Sequence, residues 1–379
     1  MTLEPGARAE GGTRPDSGAA RLRILHVILK VQPTNGQYNE HCLPLVHERD
    51  ITVCSFLPAA LTPPPSLTFF QGDGTLRGGW RALRAALAHQ SYDVVHVHAP
   101  QTGAILLAMS TLSRRSLGNT VYTVQNSYQN YRRQNRILML AIFACYPRLV
   151  FCSEAARASM SPILRMLARS KSHVVANGVD VRGIDDVLEA CRRADGDHVT
   201  VISVGRLIPI KDPGLIVDAF AAQPPGARLV FVGDGELRPE LEAATERAGA
   251  VSRVRFAGML GRQDVYRELA GADIYVSASH GEGLPVAVLE AMACRCPVVL
   301  SDIAPHRELA GGSDDIPLVS PGDTAGFARE IARLTAMTPD QRSALGARCR
   351  EVVQRRYSLA LMHDAYVGVY AEAAAGAPA

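Results

Sequence analysis

The stretch Ile274-Tyr275-Val276-Ser277-Ala278-Ser279-His280-Gly281-Glu282-Gly283-Leu284-Pro285-Val286-Ala287-Val288-Leu289-Glu290-Ala291-Met292 reads as a buried strand, a glycine loop and a helix. Ile274 to Ser277 is a short apolar, β-prone run, and Pro285 is a residue favoured at the first helical position, so a helix is predicted over Leu284 to Ala293. A helix start preceded by glycine peptides presents unpaired N–H groups and a positive dipole end, where a phosphate fits. Glu290 follows Pro285 by five residues, about 7 to 8 Å along the axis at about 1.5 Å per residue. That distance suits a ribose diol on the nucleotide that owns the phosphate. Glu282 precedes the helix and falls on the other side of a diphosphate, where a sugar ring would lie.

Outward from this unit the same alternation repeats along the chain. Apolar β-branched runs occur at Arg23 to Val31, Ile51 to Leu57, Val94 to Val97, Thr120 to Val124, Leu149 to Cys152 and Val174 to Ala176. They resume at Val199 to Val204, Leu229 to Gly233, Val254 to Gly258 and Pro297 to Ser301. Helical periodicity marks Leu215 to Ala222, Leu237 to Ala248 and Asp264 to Ala270. Strands alternating with helices predict an α/β protein with two parallel sheets, each covered on both faces. The polar segment from Arg192 to His198 is the expected linker, dividing an N-terminal domain, 21–195, from a C-terminal domain, 196–356. The helix-prone tail 357–375 packs wherever an exposed groove remains and is expected to complete the N-terminal domain. Ligands of such sheets bind beyond the carboxyl ends of strands, so two facing sheets make a cleft.

A length of 379 residues argues for two or three domains, and 47% apolar with 20% charged residues describes a globular chain with a large core. The longest apolar stretch, Ile137 to Tyr146, is too short to span a membrane. Residues 1–20 read as a flexible tail and not as a signal peptide, which places the protein in the cytoplasm. Eight scattered cysteines without a CxxC pair argue against structural zinc and a disulfide framework. Net charge is +3, divided as +8 over 1–195 and −5 over 196–379. The basic half suits an anionic substrate or the anionic inner face of the cell membrane. No aromatic-interleaved basic motif supports a nucleic-acid partner.

Ser203-Val204-Gly205-Arg206-Leu207-Ile208-Pro209-Ile210-Lys211-Asp212-Pro213 supplies two cations at a strand mouth, as a departing diphosphate requires. Lys211 is one of only three lysines among 40 basic residues. Together with Asn177-Gly178-Val179-Asp180, Gly233-Asp234-Gly235-Glu236, Phe256-Ala257-Gly258 and the E-x7-E pair Glu282 and Glu290, these residues resemble the retaining GT-B glycosyltransferases of family 4. The resemblance runs from Arg23 to Tyr370 and is looser in the N-terminal half. It implies two Rossmann-like domains facing a cleft, and a sugar transferred with retention from a uridine or guanosine diphosphate sugar to an acceptor hydroxyl. A glycan or glycolipid acceptor, in polysaccharide or glycolipid assembly, goes with it, as does the nucleotide sugar as co-substrate without further cofactor or metal.

By the same resemblance Arg206 and Lys211 hold the diphosphate beside Gly205, Glu290 takes the ribose, and Glu282 with Gly283, Leu284 and Pro285 takes the donor sugar. Met259 and Leu260 border the base, and Asn35-Gly36 resembles the glycine loop beneath the phosphates, with Gly36 as a donor contact. His98, at the end of its strand, is a catalytic candidate. Many relatives carry a histidine where Thr123-Val124-Gln125-Asn126 stands here, so Gln125 and Asn126 become acceptor candidates. Gln125 does not titrate as histidine does, although its amide still hydrogen-bonds a hydroxyl. Two matches are discounted: Asp195-Gly196-Asp197 lies in the linker, and Gly233-Asp234-Gly235 has Arg238 where GxGxxG needs glycine. Tyr131 to Phe143 joins arginines to an apolar helix, readable as an interfacial anchor or as a helix half-buried on its sheet. A nucleotide-sugar epimerase of the same fold and a non-catalytic nucleotide-sugar scaffold remain open as alternatives.

Overall fold

The computed structural model describes residues 21–33, 35–190 and 198–376. The expected tail, the boundary at 195 and the Asp195-Gly196-Asp197 match lie outside them. Seven parallel strands form the first sheet: β1 (Arg23–Ile28), β2 (Asp50–Ser55), β3 (Thr68–Gln71), β4 (Val94–Val97), β5 (Thr120–Val124), β6 (Leu149–Phe151) and β7 (Ser172–Val174). Their order is β3-β2-β1-β4-β5-β6-β7. The second sheet has six: β8 (Val199–Val204), β9 (Ala227–Val232), β10 (Val254–Gly258), β11 (Ile274–Ser277), β12 (Val298–Ser301) and β13 (Leu318–Val319), ordered β10-β9-β8-β11-β12-β13. Both are doubly wound, and their order reverses between β1 and β4 and between β8 and β11. Helices cover both faces, which is why β4, β5, β11 and β12 are buried at every position and read as continuous apolar runs.

The chain crosses between domains at two adjacent places. Val179 N–H donates to Tyr357 O, and Leu359 N–H donates to Val179 O, both at 2.9 Å. After the first crossing, the helix Val181–Ala190 buries Ile184 and Val187 with Tyr266, Leu269 and Met292 of the C-terminal domain. By packing, the C-terminal domain therefore begins near Val179, ahead of the linker read from composition; the amphipathic period of this helix did not say which sheet it faces. After the second crossing, the helix Leu359–Ala375 lies on the first sheet, burying Met362, Tyr366, Val369 and Tyr370 against Ile24, Val94 and Val121. Burial of Met362 and Val369 alone favours that docking by roughly 1.5–3 kcal/mol each.

Side chains also tie the domains together. The Glu308 carboxylate accepts from Glu154 N–H at 3.0 Å and Ala155 N–H at 2.6 Å, capping the helix Glu154–Ala158 from the other domain. Ser127 Oγ donates to Glu282 O at 2.5 Å and Ser153 Oγ to Gly283 O at 2.9 Å.

Candidate functional site

The strand ends of β8 and β11 build one wall. Arg206 follows β8 and stands exposed, and Lys211 closes a short 3-10 turn, Pro209–Lys211, ahead of the helix Pro213–Ala221. Beyond β11 the chain runs through Ser279 and Glu282 into the helix Val286–Ala293. Pro285 is the N-cap in extended backbone, one place earlier than the expected first helical position, because the carbonyls of Glu282 and Gly283 are pinned by serines across the interface. Lys211 Nζ and Ser279 Oγ both donate to Glu282 Oε1, at 2.5 and 2.7 Å. Beneath them Ser301 Oγ holds the Ser279 carbonyl.

The facing wall belongs to the N-terminal domain. Asn35 caps the short helix Gly36–His41 by accepting from Tyr38 N–H at 2.8 Å, which brings Gly36, Glu40 and His41 to the cleft. Arg262 links the walls: its NH2 nitrogen lies 3.1 Å from Glu40 Oε1 and 3.4 Å from Glu290 Oε1, while its Nε donates to Tyr266 OH at 2.5 Å. The three side chains are 4%, 12% and 24% exposed for Glu40, Glu290 and Arg262. Burial pushes the Glu40 carboxyl up to about 8, against the opposing pull of Arg262, and raises Glu290 for the same reason.

Between the walls is a cavity of about 400 Å³ lined by Gly36, Glu40, Gln125, Arg206, Arg262 and Glu290, with Gly205, Met259, Leu260 and Leu284 completing it. A smaller one of about 100 Å³ adjoins it at Lys211, Glu282 and Pro285, sharing Gly205, Arg206 and Leu284. The helix start Val286–Ala287 lines both, and the first N–H groups of a helix have no partner within it. The arrangement offers an anion two cations and a helix dipole, with one carboxylate on either side.

Residues 198–337 match the model for glycosyl transferases group 1, and residues 48–182 match that for Glycosyltransferase Family 4. The chain belongs to the family 4 glycosyltransferases. It is 33% identical over 176 residues to the lipopolysaccharide core biosynthesis glycosyltransferase LpsE of Rhizobium meliloti, covering 46% of this chain and 50% of that one. An Escherichia coli UDP-Gal:alpha-D-GlcNAc-diphosphoundecaprenol alpha-1,3-galactosyltransferase is 27% identical over 272 residues, 67% of this chain and 69% of its own. Among solved structures, Anabaena HepE in complex with UDP and glucose superposes with a TM-score of 0.75 at 19% identity, covering 92% of this chain and 99% of that one. The likeness in structure shows that this glycosyltransferase has the GT-B fold.

Three candidates read from the sequence of this glycosyltransferase stand away from the cavities. His98 is buried behind His41, its ring 5.3 Å from that ring, and its Nε2 is 3.0 Å from His26 Nδ1. It faces the inside of the domain because β4 is buried on both faces, and burial followed by the neighbouring imidazoles holds it well below the ordinary histidine range. Asn126 accepts from Asn130 Nδ2 at 2.7 Å and shapes the loop after β5, whereas Gln125 reaches the cavity with its Nε2 buried and unpartnered. Gly283 packs against protein, since a Cβ there would lie 2.2 Å from Gln125 O. Its neighbour Leu284, and not Gly283 itself, borders the cavity.

The sequence reading missed Glu40, Arg262 and Ser279. Arg262 opens a helix three residues after Met259, a signal for a cavity-facing position, but its partner Glu40 is 222 residues away. Among the described residues one group has a metal-ligand composition: His26, His96 and His98 have nitrogens within 4.8 Å of one another. His96 spends both nitrogens on Tyr370 OH and Thr123 Oγ1, at 2.8 and 2.6 Å, so an ion there has to displace these bonds.

Proposed function

We propose that this glycosyltransferase moves a sugar from a nucleoside diphosphate donor to an acceptor hydroxyl with retention at the anomeric carbon, in glycolipid or polysaccharide assembly. The observation that carries the reading is the meeting of Arg206, Lys211, Glu282, Glu290 and one helix start around a pair of joined cavities. In this reading the diphosphate occupies the helix start, and Arg206 and Lys211 neutralise the charge that develops as it leaves. Glu290 accepts the ribose hydroxyls, Glu282 and the Leu284 backbone flank the sugar, and Met259 and Leu260 border the base, while Gly283 serves by letting the loop pack against the other domain. The Gln125 amide offers a donor to a sugar or acceptor hydroxyl. Gln125 has no need to titrate if the leaving phosphate takes the acceptor proton. The UDP-Gal and undecaprenol in one relative's name, and UDP with glucose in HepE, favour a uridine donor and a lipid-linked acceptor.

A lipid-linked acceptor requires approach to a membrane. Among the described residues no helix is long and apolar enough to cross one. The helix Arg133–Cys145 buries Met139, Ile142 and Phe143 yet exposes Ile137 and Leu140, next to exposed Ile163 and Met166 on the helix Pro162–Ala168. Exposed Arg132, Arg133 and Arg165 border that apolar patch, the pattern of a surface that rests on anionic lipid at the inner face of the cell membrane.

The test is to supply UDP- and GDP-sugars with and without a lipid-linked glycan, follow nucleoside diphosphate release, and assign the product anomer by nuclear magnetic resonance. Acceptor-dependent release with the donor's anomeric configuration supports the proposal. Donor epimerised without acceptor, or bound without release, overturns it in favour of an epimerase or a scaffold.

A further inference from the structure

Arg262 serves two carboxylates from one nitrogen. Its NH2 reaches Glu40 of the N-terminal domain and Glu290 of its own domain, and its Nε is already committed to Tyr266 OH. The Glu290 contact is the longer of the two, and all three groups are largely out of water, where solvent competes little for their hydrogen bonds. A change in what Glu290 binds therefore changes what Arg262 offers to Glu40.

Resting on the donor reading above, we propose that Arg262 is a positioning residue that links donor capture to domain closure. With the cleft empty, Glu290 competes with Glu40 for the guanidinium. Ribose hydroxyls donating to Glu290 relieve that demand and leave Arg262 to hold Glu40, which draws the two domains together. Linkage makes the relation reciprocal, so a chain unable to make the Glu40 contact also binds donor more weakly. The helix Gly36–His41 adds leverage, because the Glu40 carbonyl accepts from His363 Nε2 at 2.7 Å and so couples the carboxylate to the C-terminal helix on the same domain.

UDP and GDP are each titrated by calorimetry into the full chain, with small-angle scattering of the free and bound forms. Glu40→Ala is expected to weaken nucleotide binding within the range of about 5- to 150-fold usual for coupled sites, and to reduce the contraction on binding. Glu40→Gln keeps an acceptor oxygen and is expected to restore both. Should Glu40→Ala fail to fold, Arg262→Lys, a point charge too compact to serve both carboxylates, is expected to give the same loss. In a Glu290→Ala background, Glu40→Ala should lose most of its effect. Wild-type affinity in Glu40→Ala, or losses that add in full across the two sites, overturns the inference while leaving the donor reading standing. Wild-type affinity in Glu290→Ala overturns the donor reading and this inference with it.

Discussion

Replacing Gly283 by alanine tests how closely the two domains must meet. The added Cβ would sit 2.2 Å from Gln125 O and 2.9 Å from Asn126 Cα, both backbone atoms that no side-chain rotation can move. Ordinary contact requires the two loops to part by about 1 Å or more. That displacement breaks the bonds from Ser127 Oγ to Glu282 O and from Ser153 Oγ to Gly283 O. At about 1 kcal/mol each the loss is about 2 kcal/mol, or about 30-fold in the closed population. A comparable fall in kcat/KM is expected in a nucleoside diphosphate release assay. Gly281→Ala is the control, because the three atoms nearest its Cβ all belong to the Asn130 side-chain amide, which can rotate away for about 1 kcal/mol, the bond it makes to Asn126. Wild-type kcat/KM in Gly283→Ala, or equal losses in both variants, would refute the reasoning.

Glu290→Ala should raise the donor KM about 10- to 100-fold, the worth of charged hydrogen bonds to two hydroxyls, and an unchanged KM would remove Glu290 from the ribose site. Lys211→Ala should lower kcat about 10²- to 10³-fold in single-turnover measurements, and a change of only a few-fold would assign the leaving-group charge elsewhere. His98→Ala should cost about 1–3 kcal/mol of stability in denaturant melts while leaving donor KM alone; the opposite outcome would return His98 to the cleft. Glu40 gives a pH signature, since burial, opposed by Arg262, raises its carboxyl from 4.5 to about 8 in the folded protein. Its contribution to stability is full below pH about 4.5 and is lost as pH rises through about 8, so the melting temperature should fall across that window and do so less in Glu40→Gln. Parallel curves for the two proteins would contradict the assignment.

The fold was readable wherever a strand leaves an apolar run. Val94–Val97, Thr120–Val124 and Ile274–Ser277, buried at every position, begin and end where their apolar runs do, and so do the partly buried Val199–Val204 and Val254–Gly258. Two edge strands were not readable: Thr68–Gln71 follows three prolines and is half-buried, and Leu318–Val319 is two residues long, whereas the opposite edge Val254–Gly258 keeps a five-residue run. Within the site, residues that act through their own strand end, such as Arg206 and Lys211, could be placed by local spacing. Those whose position depends on the other domain could not. The spacing of Gly281 and Gly283 suggested room for a ligand, when the nearest neighbours of both are the loop after β5. Glu40 meets Arg262 only because two sheets face each other, which no local pattern encodes.

The paired crossings at Val179 and at Tyr357 to Leu359 bear on how this enzyme can be rebuilt. A chimera that takes its C-terminal domain from a relative needs junctions at both places, with residues near 180 to 357 exchanged as a single cassette and the final helix retained from the host. A graft cut at only one junction would strip Tyr366 and Tyr370 from the sheet they cover and leave an apolar face bare to water. Its product should collect in inclusion bodies, whereas the two-junction cassette should stay in the soluble fraction.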